Sequence, residues 1–342
     1  MSLCTFGWNQ KNTTSIQHAP RRSVILVMLS LLLVGQAQAA DKIIYIRPVP
    51  MNDDPLLKQG SKGINQAAQM YGLDADTLES QPNRESRLQQ LEAAVKQGAK
   101  LVVLMGHEFK EPLASFASKA PKTRFLILDH CIDNPLPNVS CILFRETEAS
   151  YLAGMEAALV STSGKLGIIG PLDTPIRRKN LEAFSEGAKA ANPNIVIREP
   201  QWINGEQPFN DPQRAEQLAK AMLDDGIDII YAMASASNRG AFRAVSGDSK
   251  ARIIGNAINQ CPLAPGKVLD NIEVSMDTAI VLAVGEAMKG ALAARIDYGM
   301  KEGAVSLTSL ERDIAFSDCE IMRHRPVIQK LRDARKSLLS RK

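Results

Sequence analysis

Apolar runs of four or five residues, each followed by a polar turn and an amphipathic window, recur along this chain in two successive series. In the first, Ile43–Ile46, Leu101–Met105 and Phe125–Leu128 read as strands, with helices over Pro55–Tyr71 and Arg84–Lys96. The second sets strands at Leu166–Ile169, Ile195–Ile197, Ile227–Tyr231 and Arg252–Ile254 against helices at Pro175–Ala190, Asp211–Asp224 and Thr278–Ile296. Strands this short and this apolar, flanked by helices, are parallel strands buried on both faces. Two series predict an α/β protein of two doubly wound lobes. In such sheets ligands sit beyond the carboxyl ends of the strands. The strand ends here lead into polar turns: Met51-Asn52-Asp53-Asp54, His107-Glu108-Phe109 and Asp129-His130 in the first series. The second offers Pro171-Leu-Asp173, Gln201-Trp202, Ser235-Ala-Ser237-Asn238 and Asn256-Ala-Ile-Asn259-Gln260. Amides, hydroxyls, acids and a few rings suit a small polar molecule stacked on an aromatic.

Residues 1–40 stand apart. They hold three cations (Lys11, Arg21, Arg22) and no acid, then the apolar run Val24–Val34 and Ala37-Gln-Ala39-Ala40. A cationic start, an apolar stretch short of the ~18 residues that span a bilayer, and an Ala-x-Ala site describe a secretory signal peptide cleaved near Ala39-Ala40. The expected location is the periplasm. The formal charge of +4 then falls to +1, with 38 Lys and Arg against 37 acids over 302 residues. That sum removes the compositional argument for a nucleic-acid or anionic-membrane partner. Membrane contact is expected only through a partner, and the chain is expected to be a monomer. Cys131, Cys141, Cys261 and Cys319 remain after the leader, an even number that allows three pairings in an oxidising compartment. The short spacing favours Cys131–Cys141, leaving Cys261–Cys319, with four free thiols as the alternative. Cys-x-x-Cys and ligand-spaced histidines are missing, so no metal is expected. The pairs His107-Glu108 and Asp129-His130 read as loop and ligand contacts, and Arg177-Arg178-Lys179 as a solvated helix start. Gly-x-Ser-x-Gly, P-loop and His-Glu-x-x-His motifs do not occur, so neither an enzyme nor a cofactor is expected.

Several blocks carry a family likeness. Phe125-Leu-Ile-Leu-Asp129, Phe144-Arg-Glu-Thr-Glu-Ala-Ser150-Tyr-Leu-Ala-Gly154 and Gly164-Lys-Leu-Gly-Ile-Ile-Gly170 are three of them. Pro175-Ile-Arg177-Arg178 with Phe184-Ser-Glu-Gly187-Ala, Phe209-Asn-Asp-Pro212, Ser237-Asn-Arg-Gly240-Ala-Phe242 and Asn259-Gln260 with Pro265-Gly266-Lys-Val-Leu269 continue in order. From about Lys42 to Asp318 the chain resembles the basic membrane protein family of ABC-transporter solute-binding proteins. The resemblance implies a type I periplasmic-binding-protein fold, two lobes joined by three crossovers that close over a ligand, resembling purine nucleoside receptors. The crossovers would lie near Phe144–Glu146, Ile272–Met276 and Tyr298–Leu307. Lobe 1 would then be residues 41–144 plus about 274–298, and lobe 2 residues 145–273 plus about 299–342. The implied partners are a small-molecule ligand and an ABC-transporter permease, or a membrane sensor if the protein signals instead.

Carried over position by position, the family's nucleoside site survives in part. Its Asp-x-x-Phe-Asn aligns with Asp53-Asp54-Pro55-Leu56-Leu57, and its acid after the last strand of the first lobe with Asp129. Its Gly-Gly-Thr-Gly turn becomes Ser235-Ala-Ser237-Asn238, its ribose acid aligns with Asn259, and its lysine with Val274. The expected ligand contacts are Asn52, Asp53, Glu108, Asp129, Ser237, Asn238 and Asn259. Trp202 and Phe209, with Phe109 as a third ring, would supply stacking.

Overall fold

The computed structural model describes residues 40–49, 55–311 and 317–340; the expected leader, Asn52 and Asp53 lie outside the described residues. The first sheet is built from β1 (Lys42–Arg47), β2 (Asp74–Glu79), β3 (Leu101–Met105), β4 (Arg124–Leu128), β5 (Val139–Phe144) and β12 (Arg295–Tyr298). Its order is β2-β1-β3-β4-β5-β12. Around it run α1 (Pro55–Tyr71), α2 (Arg84–Lys96), α3 (Lys110–Phe116) and α8 (Met276–Met288).

The second sheet holds β6 (Lys165–Gly170), β7 (Val196–Ile197), β8 (Gln201–Trp202), β9 (Ile229–Ala232), β10 (Arg252–Ala257), β11 (Val268–Val274) and β13 (Val305–Leu307). Its path is β13-β11-β10-β9-β6-β7, and β8 pairs with β6 beyond β7. Helices α4 (Thr147–Val160), α5 (Pro175–Ala191), α6 (Pro212–Asp224), α7 (Asn238–Ser246) and α9 (Arg325–Ser340) complete it. Both sheets are parallel except where β13 joins β11. The two sheets repeat one doubly wound order, so each opens a crevice between its first and third strands. The chain passes between them three times, from β5 to α4, from β11 to α8 and from β12 to β13. Residues 40–342 form one compact unit.

The central strands are fully buried, as in Ile43–Ile46 and Leu101–Leu104, because helices cover both faces. Pro175 and Pro212 open α5 and α6 behind Thr174 and Asp211, whose side chains accept from Arg177 N and Arg214 N. One expected element is corrected. The helix expected over Thr278–Ile296 ends at Met288, Gly290 turns the chain with φ of 71°, and Arg295–Tyr298 becomes the edge strand β12. Periodicity runs on through Ala-Leu-Ala-Ala, but the left-handed glycine stops the helix. The strand expected at Ile195–Ile197 is shortened to Val196–Ile197. Acidic β2, an edge strand, has no apolar run to betray it.

The structure joins Cys131 to Cys141 and Cys261 to Cys319. Among the described residues no helix is long and apolar enough to cross a membrane.

Candidate functional site

Among the described non-glycine residues with left-handed backbone are Asp129 after β4 (φ 64°), Ser235 after β9 (φ 52°) and Ala257 closing β10 (φ 78°). Such conformations cost free energy and persist where surrounding structure enforces them, often at ligand clamps. At Ser235 a residue with a hydroxyl side chain holds a backbone conformation that glycine adopts freely.

The charged centre of the site lies where the first crossover meets the strand ends. Glu146, between β5 and α4, accepts a hydrogen bond from Asn256 Nδ2 (3.1 Å) at the end of β10. It also pairs with Arg177 Nη1 at 3.8 Å, and both side chains are largely covered. Arg177 reaches that position because it is the third residue of α5, with its own N–H held by the Thr174 hydroxyl. The solvated reading of Arg177 is therefore corrected: a short loop after β6 drives this first-turn side chain into the crevice. Burial raises the Glu146 carboxyl; Arg177 opposes the rise and the neighbouring Asp129 adds to it. Asp129 keeps solvent access, yet the protein around it pushes its carboxyl up to about 6, with Arg177 and His107 pulling down. Residues of both sheets thus feel one another's charge across the crevice.

Beside this centre opens a cavity of about 520 Å³ walled by Leu56 of α1 and by Ser235, Arg239, Asn256, Ile258 and Leu263. Its volume is that of a small-molecule site, and its lining mixes apolar side chains with a few polar ones.

The expected contacts divide. Asp129 lies at the centre. Glu108 sits in the short turn after β3, beside His107 (3.6 Å from Nδ1); Gly106 opens that turn with φ of 107°, a backbone that side chains with a Cβ rarely adopt. Three others are committed elsewhere. Asn238 is fully buried, donates to Ala232 O and Gln260 Oε1, and accepts from Ala234 N. Ser237 donates to Pro208 O and accepts from Asp211 N. Asn259 accepts from Cys261 N and Asn271 Nδ2 and donates to Ser317 O, beside the Cys261–Cys319 bridge. These amides brace turns, and Gln260 links them to Asn256 N. The rings also disperse. Trp202 lies against Gly170 and lines a groove between α5 and the β7–β8 edge, Phe209 is solvent-exposed, and Phe109 is in the core of the first lobe. Val274 is buried core. Sequence reasoning left Glu146, Arg177 and Asn256 out of the contact set; their position at strand ends and a crossover was the available signal.

His107 and His130 rings stand 5.6 Å apart. Burial and the His107 charge lower the His130 imidazole, so His130 resists protonation. No group of three metal-ligating side chains forms among the described residues.

Comparison with known proteins adds relatives. The profile of the family described as "ABC transporter substrate-binding protein PnrA-like" matches residues 40–339. Basic membrane protein A2 of Borrelia garinii subsp. bavariensis is 28% identical over 274 residues, 78% of this chain and 79% of the relative. The ABC transporter nucleoside-binding protein BmpA of Lactococcus lactis subsp. cremoris is 29% identical over 150 residues, 44% of this chain and 41% of that one. Among solved structures, an ABC transporter solute-binding protein from Aeropyrum pernix superposes with a TM-score of 0.68 at 21% identity. That match covers 88% of this chain and 91% of the other.

Proposed function

The chain belongs to the PnrA-like ABC transporter substrate-binding family, and from that premise we propose that it captures a nucleoside-like ligand between its lobes and hands it to a membrane permease. The observation that carries this reading is the convergence of Asp129, Glu146, Arg177 and Asn256 from both sheets on one crevice. A carboxylate accepting from ligand N–H or O–H groups, beside a cavity of about 520 Å³, suits a polar molecule of nucleoside size. The Lactococcus relative is named as a nucleoside-binding protein, which supports the same class. Asn259, where the resemblance sets the family's ribose acid, is hydrogen-bonded to Cys261, Asn271 and Ser317, and Val274, where it sets the lysine, is buried. Glu146 and Arg177 are the charged groups we assign to ligand recognition in their place, with Asp53 and Asn52 contributing from the segment before α1.

We take the first lobe as residues 41–144 plus about 274–298 and the second as 145–273 plus about 299–342. The ligand, touching both, favours the closed arrangement of lobes over the open one. We assign residues 1–40 as a leader removed on export to the periplasm. No catalytic step is assigned.

Thermal-shift measurement of residues 40–342 against nucleosides, nucleobases and unrelated metabolites tests the reading. A saturating nucleoside should raise the midpoint, since a ligand at about 100 times its Kd stabilises by about 2.7 kcal/mol. No response to any nucleoside, with a shift for another class, overturns the nucleoside assignment.

A further inference from the structure

The near-neutral sum over residues 41–342 conceals a segregation. Residues 325–342 hold seven Lys and Arg against one acid, Asp333, while residues 41–324 hold 31 against 36, a net charge of −5. Five of those cations, Arg325, Lys330, Arg332, Arg335 and Lys336, lie in α9. The helix is anchored by its apolar side: Ile328 and Leu331 are buried in the core, and Val327, Ala334, Leu338 and Leu339 pack against it. Arg325, Lys330, Arg332 and Lys336 are exposed. At 3.6 residues per turn, Arg325, Arg332 and Lys336 fall within about 40° of one another, a stripe about 16 Å long.

Several cations elsewhere are matched by acids. Arg84 pairs with Glu111, Arg178 with Asp173, Arg198 with Asp225, and Lys220 and Arg243 with Glu216. The α9 cations form no ion pair among the described residues, and the helix's one acid, Asp333, accepts from Gln329. A row of unmatched like charges, held in place by a buried apolar face, calls for a counter-charge from outside.

We propose that α9 docks on an anionic phospholipid surface, lying flat with its cationic stripe at the headgroups. Its apolar face is already used by the protein core, so the helix cannot insert, and the attraction left is electrostatic and spread along the surface. The stripe has no ring between its cations to stack a base, which disfavours a nucleic acid. Several acids of a second copy, Glu111, Asp173 and Glu216 among them, are already paired with its own cations. The proposal departs from the expectation of membrane contact only through a partner, because a cationic face that the net charge does not reveal lies on α9.

Co-sedimentation of residues 40–342 with vesicles tests this, using phosphatidylcholine alone and phosphatidylcholine mixed with phosphatidylglycerol. The protein should bind the mixed vesicles at low ionic strength, ignore the neutral ones, and release at about 0.5 M salt as screening shortens to a few ångströms. The triple variant R325E/R332E/K336E should lose on the order of a hundredfold in partitioning, at roughly a tenfold factor or less per cation. K96E/K119E/K122E, an equal change of charge on exposed lysines of the first lobe, should bind as the parent does. Equal binding to neutral vesicles, no binding to anionic ones, or equal loss in both triples overturns the proposal. Self-association without vesicles that the first triple abolishes also overturns it, giving the face to a second copy. Ligand-induced thermal shift should be the same in all three proteins, so this test fails or succeeds independently of the cleft.

Discussion

Asp129 sets the pH behaviour of the cleft. Although it keeps solvent access, desolvation by the protein packed around it lifts its carboxyl from an ordinary 3.8 to about 6 in the folded protein, against the pull of Arg177 and His107. An acid raised by folding holds its proton more tightly when folded. Its contribution therefore favours the folded state below 3.8 and is lost as pH rises through about 6. Ligand binding runs the other way. A donor ligand needs the carboxylate, so affinity should climb as pH rises through about 6 and then level off. Asp129→Asn should flatten that profile and weaken binding about 10- to 100-fold at neutral pH, the value of hydrogen bonds to a charged group; calorimetric titration across the interval reads both. Arg177→Met removes the cation that opposes burial at both Asp129 and Glu146. It should move the inflection upward and lower Tm by a few degrees, whereas an unmoved inflection would mean that the guanidinium acts only on Glu146. Residue types at strand ends made Asp129 legible in the sequence. Direction was not: Asn238 and Asn259 have suitable amides, but which way an amide points depends on partners up to 58 residues away, such as Ser317.

Among elements, the family-like blocks around Gly154 and Gly187 acquire a physical reason. A Cβ on Gly154 would lie 1.9 Å from Phe184 O, and one on Gly187 1.8 Å from Tyr151 O, so α4 and α5 cross backbone to backbone. Helix propensity alone says that Gly187→Ala stabilises by up to about 1 kcal/mol. The neighbour is a carbonyl and cannot step aside, so we expect a net loss of about 2 kcal/mol or more in chemical denaturation. The bridges should differ likewise. Cys261–Cys319 spans 58 residues and Cys131–Cys141 spans 10, for which loop closure suggests about 4 and about 3 kcal/mol. Replacing each pair by serine and comparing denaturation midpoints checks the order. Short buried strands and proline-led helices were readable because local chemistry decides them. Edge strands β2 and β12 were not, since pairing with β1 and β5 creates them.

At the scale of the molecule, the three crossovers are tied to one another. Ser275 N, at the second, donates to Ala304 O at the third (2.8 Å). Arg145, at the first, donates to Glu148 and to Glu302 of the third, and lies so close to Gly299 that a Cβ there would stand 2.7 Å from its guanidinium. Gly299→Ala should displace Arg145, uncoupling the first and third crossovers. Small-angle scattering should then show a wider spread of sizes in the unliganded protein and less compaction on ligand addition than in the parent. Unchanged scattering would count against Arg145 as a clamp. A hinge of three crossovers tied in this way is expected to turn in one sense. Whatever occupies the crevice, the outer faces of the lobes would then arrive at a single relative orientation. The docking partner would thus read a posture rather than a molecule, and the ligand could change between related proteins while the surface presented to the transporter stayed the same.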